Sequence, residues 1–325
     1  MNIFVTGGAG YIGSATAEGL IKAGHSVTVY DSLVTGHRAA VPAGANFINA
    51  GLEDSRALME ALTSNKFDAI MHFAAFIEAG ESMRDPGKFF RNNYSNSLQL
   101  IETAVQAGIK KLVFSSTAAV YQSSEQPLTE ESAIGPTNVY GHTKLMTEQA
   151  IEWYRQIHGL HFAALRYFNA CGALPGRGEA HQPESHLIPR VLEIALGKAE
   201  SATIFGTDYP TPDGTCIRDY IHIADLVSAH ILALGALDSK DRMIYNIGSG
   251  NGFSVREVIE TARQVTGHAI PVVESPRRPG DSARLVASPQ KIISELGWTP
   301  EHTNIREILS SAWEWHTTHP NGYEE

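Results

Sequence analysis

Cysteine is scarce. The chain of 325 residues has two, Cys171 and Cys216. Two cysteines make no disulfide framework, and their separation is not that of a metal-binding pair. A reducing, cytoplasmic setting is expected. Long apolar runs are missing as well, and none approaches the roughly 20 residues that a membrane span needs. The opening MNIFVTGGAG goes straight into an apolar strand, without the charged start and long apolar core of a secretory signal. Basic clusters are absent, and the net charge of −10 is spread without long acidic runs. A nucleic-acid surface is therefore not expected. No repeat of fixed period and no low-complexity tract is present. The closing HPNGYEE reads as a frayed surface end.

What is there is globular. The hydrophobic fraction is 43% and the charged fraction 18%, which supports a core of good size. The length allows one large domain or two ordinary ones. In the first half, short apolar runs alternate with amphipathic segments. The pattern predicts strands at 2–6, 26–31, 45–50, 68–75, 111–117 and 161–169, with helices at 11–24, 54–64, 87–107 and 139–158. Steady alternation of this kind means βαβ units, a parallel sheet and helices on both of its faces. After Asn169 the texture changes to a Gly- and Pro-rich stretch, then helices at 186–197, 254–266, 288–296 and 304–316. This predicts a doubly wound α/β domain over residues 1–170 and a smaller α/β lobe over 171–325. A segment near 219–247 is expected to return to the first sheet.

The stretch VTGGAGYIG (5–13) follows a strand and opens a helix. Gly8, Gly10 and Gly13 satisfy G-x-G-x-x-G, and Gly7, Gly10 and Gly13 satisfy G-x-x-G-x-x-G. Glycines permit the tight turn and let the backbone approach a pyrophosphate at a helix N-terminus. Asp31 ends the second strand, where a carboxylate binds ribose hydroxyls and repels a 2′-phosphate. NAD is the expected cofactor, and no metal is expected.

Catalysis belongs at the same strand ends. There the fifth strand closes on Ser115, Ser116 and Thr117, and the following helix carries YGHTK (140–144). Tyr140 and Lys144, four apart, share one helix face. A phenol of pKa about 10 is protonated at neutral pH, and an adjacent ammonium lowers it enough to act as a base. Tyr140 is read as the base, Lys144 as the group that lowers its pKa and holds the nicotinamide ribose, and Thr117 as a hydrogen-bond partner of the reacting oxygen. Taken alone, a tyrosine and a lysine at this spacing are ordinary helix residues; the glycines ahead of them give the pair its meaning.

On these motifs the chain resembles the extended short-chain dehydrogenase/reductases, and within them the UDP-glucose 4-epimerase family. The resemblance also covers HFAA with GES, the asparagines at 92–93, RYFNACGA, SHLIP, IFGTDYPTPDGTCIRDYIH, YNIGSGNGFSV, RRPGD and HPNGY. It runs nearly end to end. It implies a Rossmann domain with a UDP-sugar lobe, often dimeric. It also implies a reaction in which Tyr140 deprotonates the sugar 4-hydroxyl while C4 gives hydride to NAD. The 4-keto sugar then turns over and is reduced on its other face. Cofactor contacts are implied for Tyr11, Ile12, Asp31, Ser32, Phe73, Ala74, Ala75, Asn92, Ser115 and Phe168. UDP-sugar contacts are implied for Asn169, His186, Leu187, Phe205, Arg218, Arg278 and Asp281. The arginines suit a diphosphate, and a structural ion pair of Arg218 with Asp219 is the competing reading.

Departures from the family pattern stand out. Gly51 occupies the place of an acidic residue that contacts adenine, leaving the Leu52 backbone to serve. Ile77 replaces a lysine, and His186 an asparagine. Leu285 falls at the position that opposes the sugar 2-substituent and is intermediate in size, so the sugar range is open. A UDP-glucuronate epimerase or decarboxylase of the same superfamily stays open too. A dehydratase would place an Asp-Glu pair where this chain has STAAVY. A non-catalytic NAD sensor would not need the Tyr140/Lys144 pair.

Overall fold

A computed structural model describes residues 1–278 and 281–324. Pro279 and Gly280 of the RRPGD motif lie outside the described residues. In chain order the strands are β1 (Asn2–Thr6), β2 (Ser26–Asp31), β3 (Asn46–Asn49), β4 (Ala69–His72), β5 (Lys111–Thr117), β6 (His161–Tyr167), β7 (Asn169–Cys171), β8 (Ala202–Phe205), β9 (Ile217–His222), β10 (Arg242–Ile247), β11 (Gly252–Ser254), β12 (Val272–Ser275) and β13 (Arg284–Leu285).

Seven of these form one sheet in the order β10-β6-β5-β4-β1-β2-β3. Every neighbouring pair is parallel. The order reverses between β1 and β4, the switch point where doubly wound sheets open a crevice. Alternate residues of a strand point to opposite faces, and the packing follows. Ile3, Val5, Val29, Met71, Val113 and Leu165 pack on the face covered by the helices Tyr11–Lys22 and Ile223–Ala236. Phe4, Tyr30, Ile70, Leu112, Phe114 and Phe162 pack on the other, against the helices Ser55–Ser64 and Asn96–Gln106. The expected α/β class is the one observed. Among the described residues no helix is long and apolar enough to cross a membrane.

A four-stranded sheet joins β7, β9, β11 and β13, and β8 pairs with β12. They pack with the helices Leu187–Ala195, Val255–Thr266 and Ile305–Thr318 around Ile188, Leu192, Ile259 and Leu309. From β9 the chain crosses back: helix Ile223–Ala236 lies on helix Tyr11–Lys22, and β10 pairs with β6 from Arg242↔Phe162 to Ile247↔Tyr167.

The strand expected over 68–75 ends at His72, and two further elements differ from the sequence reading. The helix expected over 87–107 is in three pieces, Pro86–Phe89, a π-helical stretch Phe90–Ser95, and Asn96–Gln106. The widened turn sits at Asn93. Its side chain pairs with Phe76, accepting from Phe76 N at 2.9 Å and donating to Phe76 O at 2.8 Å. Its carbonyl accepts from Ser97 Oγ at 2.6 Å and Thr147 Oγ1 at 3.4 Å. These partners satisfy the groups that a regular helical turn would have used. The strand expected over 161–169 breaks at Phe168, because β7 leaves to pair with β9 in the other sheet.

Helix Val139–His158 follows from its ends. The Asn138 side chain accepts the N–H of Gly141 at 2.8 Å, and Gly159 closes the helix at φ 66°. A Cβ on Gly141 would fall 2.3 Å from Ala119 O, so glycine lets this first turn settle against the end of β5. That close approach brings Tyr140 to Thr117.

Candidate active site

A cavity of about 730 Å³ opens at the carboxyl ends of the large sheet. One wall is the glycine loop, with Gly7, Gly10, Tyr11, Ile12 and Gly13. Gly7 has φ 69°, and a Cβ there would lie 2.5 Å from Ala74 N. Conformation and space both require glycine. Gly10 leaves the start of helix Tyr11–Lys22 without a side-chain cap. A Cβ on Gly10 would meet nothing nearer than Gly7 O at 3.4 Å, so the loop is open on this side, beside a helix start whose first N–H groups have no partner within the helix. Asp31 stands at the end of β2 and accepts Ala9 N at 2.9 Å and Leu33 N at 2.8 Å. Burial raises its pKa, and those two bonds oppose the shift. Two lone-pair directions remain for hydroxyl groups. Ser32, Leu52, Phe73, Ala74, Ala75, Asn92, Ser115 and Phe168 line the same space. The cradle, the helix start and the carboxylate together fit a dinucleotide.

The space beside Gly51 is already occupied by a carboxylate. A Cβ on Gly51 would fall 2.1 Å from Glu53 Oε1. Glu53 therefore folds back into the space that a side chain at 51 would fill, and its carboxylate lines the cavity.

Tyr140, Lys144 and Thr117 meet on the opposite wall. Lys144 Nζ donates to Ser115 O at 2.7 Å. Burial holds the Tyr140 hydroxyl up at about 12, and the hydrogen bond with Thr117 is what opposes it. Lys144 is itself brought down to about 7 by burial, against the charge of Glu148 one turn on. Burial acts on both groups, and each is left nearer its neutral form. Ser115 is engaged by Tyr167, hydroxyl to hydroxyl. Ser116 points away into a buried network with Glu148, which pairs with Arg166 at 2.6 Å.

The residues expected to hold the UDP-sugar divide. Asn169 and His186 line the cavity, and Leu187 begins the helix behind it. Asn169 already donates to Asp219 O at 2.8 Å. Phe205, Arg218, Arg278 and Asp281 gather beyond the cavity wall. The Arg278 guanidinium lies 4.7 Å from the centre of the Phe205 ring, and its Nε donates to Asp281 at 2.9 Å. Arg218 pairs with Asp281 at 3.6 Å. Asp219, the suggested partner of Arg218, accepts instead from Ser249, Gly250 and Ala287. Leu285 pairs in register with Arg218 and packs against the cluster that contains Phe168.

Sequence reasoning passed over several lining residues: Glu53, Lys88, Arg91, Tyr167, Glu179 and His181. Lys88 and Arg91 stand one turn apart just before Asn92, a cationic pair on one face that could have been noticed. Tyr167 lies in the RYFNACGA motif without a role of its own there, and a strand end brings it to Ser115.

A sequence profile described as the NAD dependent epimerase/dehydratase family matches residues 3–248. The chain belongs to this family. A UDP-glucose 4-epimerase of Streptomyces lividans is 48% identical over 323 residues, covering 99% of this chain and 98% of that protein. A crystal structure of a UDP-glucose 4-epimerase matches with a TM-score of 0.97 at 48% identity, covering 100% of both chains. The enzyme of Bifidobacterium longum, solved in complex with NAD+ and UDP, matches with a TM-score of 0.94 at 34% identity, over 99% of this chain and 100% of that one. The resemblance read from the motifs is borne out.

Proposed function

We infer that this chain interconverts UDP-glucose and UDP-galactose, using NAD as a bound cofactor. The observation that carries the reading is the meeting of Thr117, Tyr140 and Lys144 on one cavity wall opposite the glycine loop and Asp31. When bound, NAD would supply a hydride acceptor that also returns the hydride. The residues do the rest. The glycine loop and the start of helix Tyr11–Lys22 hold the pyrophosphate, and Asp31 holds a ribose. Thr117 fixes the sugar 4-oxygen. Tyr140 takes the 4-hydroxyl proton and later gives one back. With a hydroxyl held at about 12, it needs positive charge nearby to ionise, and Lys144 is the chain's own source. Arg218 and Arg278 anchor the diphosphate, so the 4-keto sugar can turn about that link and show its other face.

We assign residues 1–170, with the return near 219–247, to the cofactor and the rest of 171–325 to the UDP-sugar. A homodimer through helix Val139–His158 accounts for Trp153 and Ile157, four apart and 62% and 68% exposed. Both cysteines are unpaired, which suits the cytoplasm. The glucuronate, dehydratase and sensor readings find no favour among the relatives, and Ala118 and Ala119 stand where a dehydratase needs carboxylates. The deciding experiment is a coupled assay of the purified chain with UDP-galactose and UDP-glucose. Failure to convert either, with NAD present, refutes the reading.

A further inference from the structure

We propose that His181, Glu184 and His186 bind one divalent transition-metal ion, zinc by its donor set, on the wall of the large cavity. No metal was expected from the sequence, where this stretch reads as a Gly- and Pro-rich loop. The inference is independent of the epimerase reading.

The three residues form an H-x-x-E-x-H run that leads into helix Leu187–Ala195. Each offers one ligand atom, and these atoms all lie within 4.8 Å of one another. Around a zinc ion with bonds of about 2.0–2.2 Å, tetrahedral ligands sit about 3.4 Å apart. Small side-chain rotations close that difference. Two imidazoles and a carboxylate suit zinc, whereas magnesium and calcium favour all-oxygen shells.

The surroundings support the site. Glu184 has a side chain only 5% exposed, and its Oε1 accepts the backbone N–H of Ser185 at 2.7 Å and of His186 at 2.6 Å and lies 2.7 Å from His186 Nδ1, leaving Oε2 and the far side of that ring for an ion. The carboxylate is thus fixed before any ion arrives. Glu179 backs His181: its carboxylate lies in ion-pair contact with Nδ1, without hydrogen-bond geometry. That leaves Nε2 for the metal, and a small turn of the ring would bring Nδ1–H onto Glu179, the carboxylate–histidine–metal arrangement that orients a ligand ring. Two carboxylates with two neutral imidazoles carry −2, which a divalent ion balances. Three protein ligands leave a fourth position open. His181 and His186 line the cavity, so that position takes water or an anionic oxygen from the cavity's contents. The rival arrangement is two imidazolium–carboxylate pairs with no ion.

The test uses the full chain without an affinity tag, stripped with a chelator and titrated with zinc against a chromophoric zinc chelator. One zinc per chain is expected. His181→Ala and Glu184→Gln should each weaken binding about tenfold or more, and Glu179→Gln about tenfold. The exposed His268→Ala should bind like the parent. Cobalt(II) in place of zinc should give visible absorption bands that the same variants lose. Glu184→Gln keeps an oxygen for the two backbone N–H groups, so it decides the matter if His181→Ala does not fold. A parent that takes up no stoichiometric zinc, or a folded Glu184→Gln that binds as the parent does, overturns the proposal.

Discussion

The Lys144 ammonium donates to the main-chain carbonyl of Ser115 at 2.7 Å, fastening helix Val139–His158 to the end of β5. The bond sits in a place that burial makes hostile to charge, and that burial pushes the amine down to about 7 from an ordinary 10.5, against the charge of Glu148. Between those values the unfolded chain holds a proton that the folded chain lacks. Stability of the cofactor-free protein should therefore rise with pH above 7, by up to about 1.4 kcal/mol per pH unit from this group. Urea unfolding at about pH 7.5 and about pH 9, compared with Lys144→Met, checks the sign. The parent should gain more than the variant, and equal gains would remove Lys144 as the cause.

Tyr140→Phe keeps the ring and removes the hydroxyl that exchanges the proton. A drop in kcat of about 10²–10⁴-fold is expected, with UDP affinity little changed. Thr117→Val should be milder, since one hydrogen bond to the substrate oxygen is lost. Steady-state rates on UDP-galactose give both numbers, and near-parental turnover in Tyr140→Phe would clear the tyrosine of its role.

Glu53 should matter to cofactor retention. Its carboxylate fills the space beside Gly51 and faces the cavity. Loss of a charged hydrogen-bonding group costs about 1.5–3 kcal/mol, or roughly ten- to a hundredfold in affinity. Purified Glu53→Ala should release less nicotinamide on denaturation than the parent. Equal cofactor content and equal NAD affinity would show that the carboxylate touches nothing.

We propose that sugar range depends on Leu285, which packs with the cluster of Phe168 and pairs with Arg218. The parent should act well on UDP-glucose and UDP-galactose, and more weakly on their N-acetyl forms. Overfilling a packed site costs about 1–3 kcal/mol. Leu285→Tyr should abolish the N-acetyl activity and Leu285→Ser should raise it. The readout is the ratio of kcat/KM values for the two sugar classes, and two variants with the parent's ratio would acquit Leu285.

Local signals were legible in the sequence, and long-range ones were not. Asn138 and Gly159 bracket a helix whose ends differ little from expectation, because capping is a property of neighbours. The glycine loop and Asp31 were legible for the same reason. The π-helical turn was hidden, since it depends on Asn93 meeting Phe76 and Thr147 from other parts of the chain. Glu53 was hidden because sequence alignment compares positions, while a carboxylate two residues on can reach the same space. The burial that acts on Tyr140 and Lys144 was hidden, because helix spacing reports nearness but says nothing of depth.

The crossing of the chain back to β10 has a consequence for its synthesis. A ribosome that has released residues 1–170 has released β6 with its outer edge bare, and helix Tyr11–Lys22 without the helix that covers it. A bare edge recruits other strands. The sheet is finished only when residue 247 has emerged, so the nascent chain must be kept from its neighbours for much of its translation. A gene shortened to the first 170 codons would yield an aggregating product in place of a small NAD-binding module.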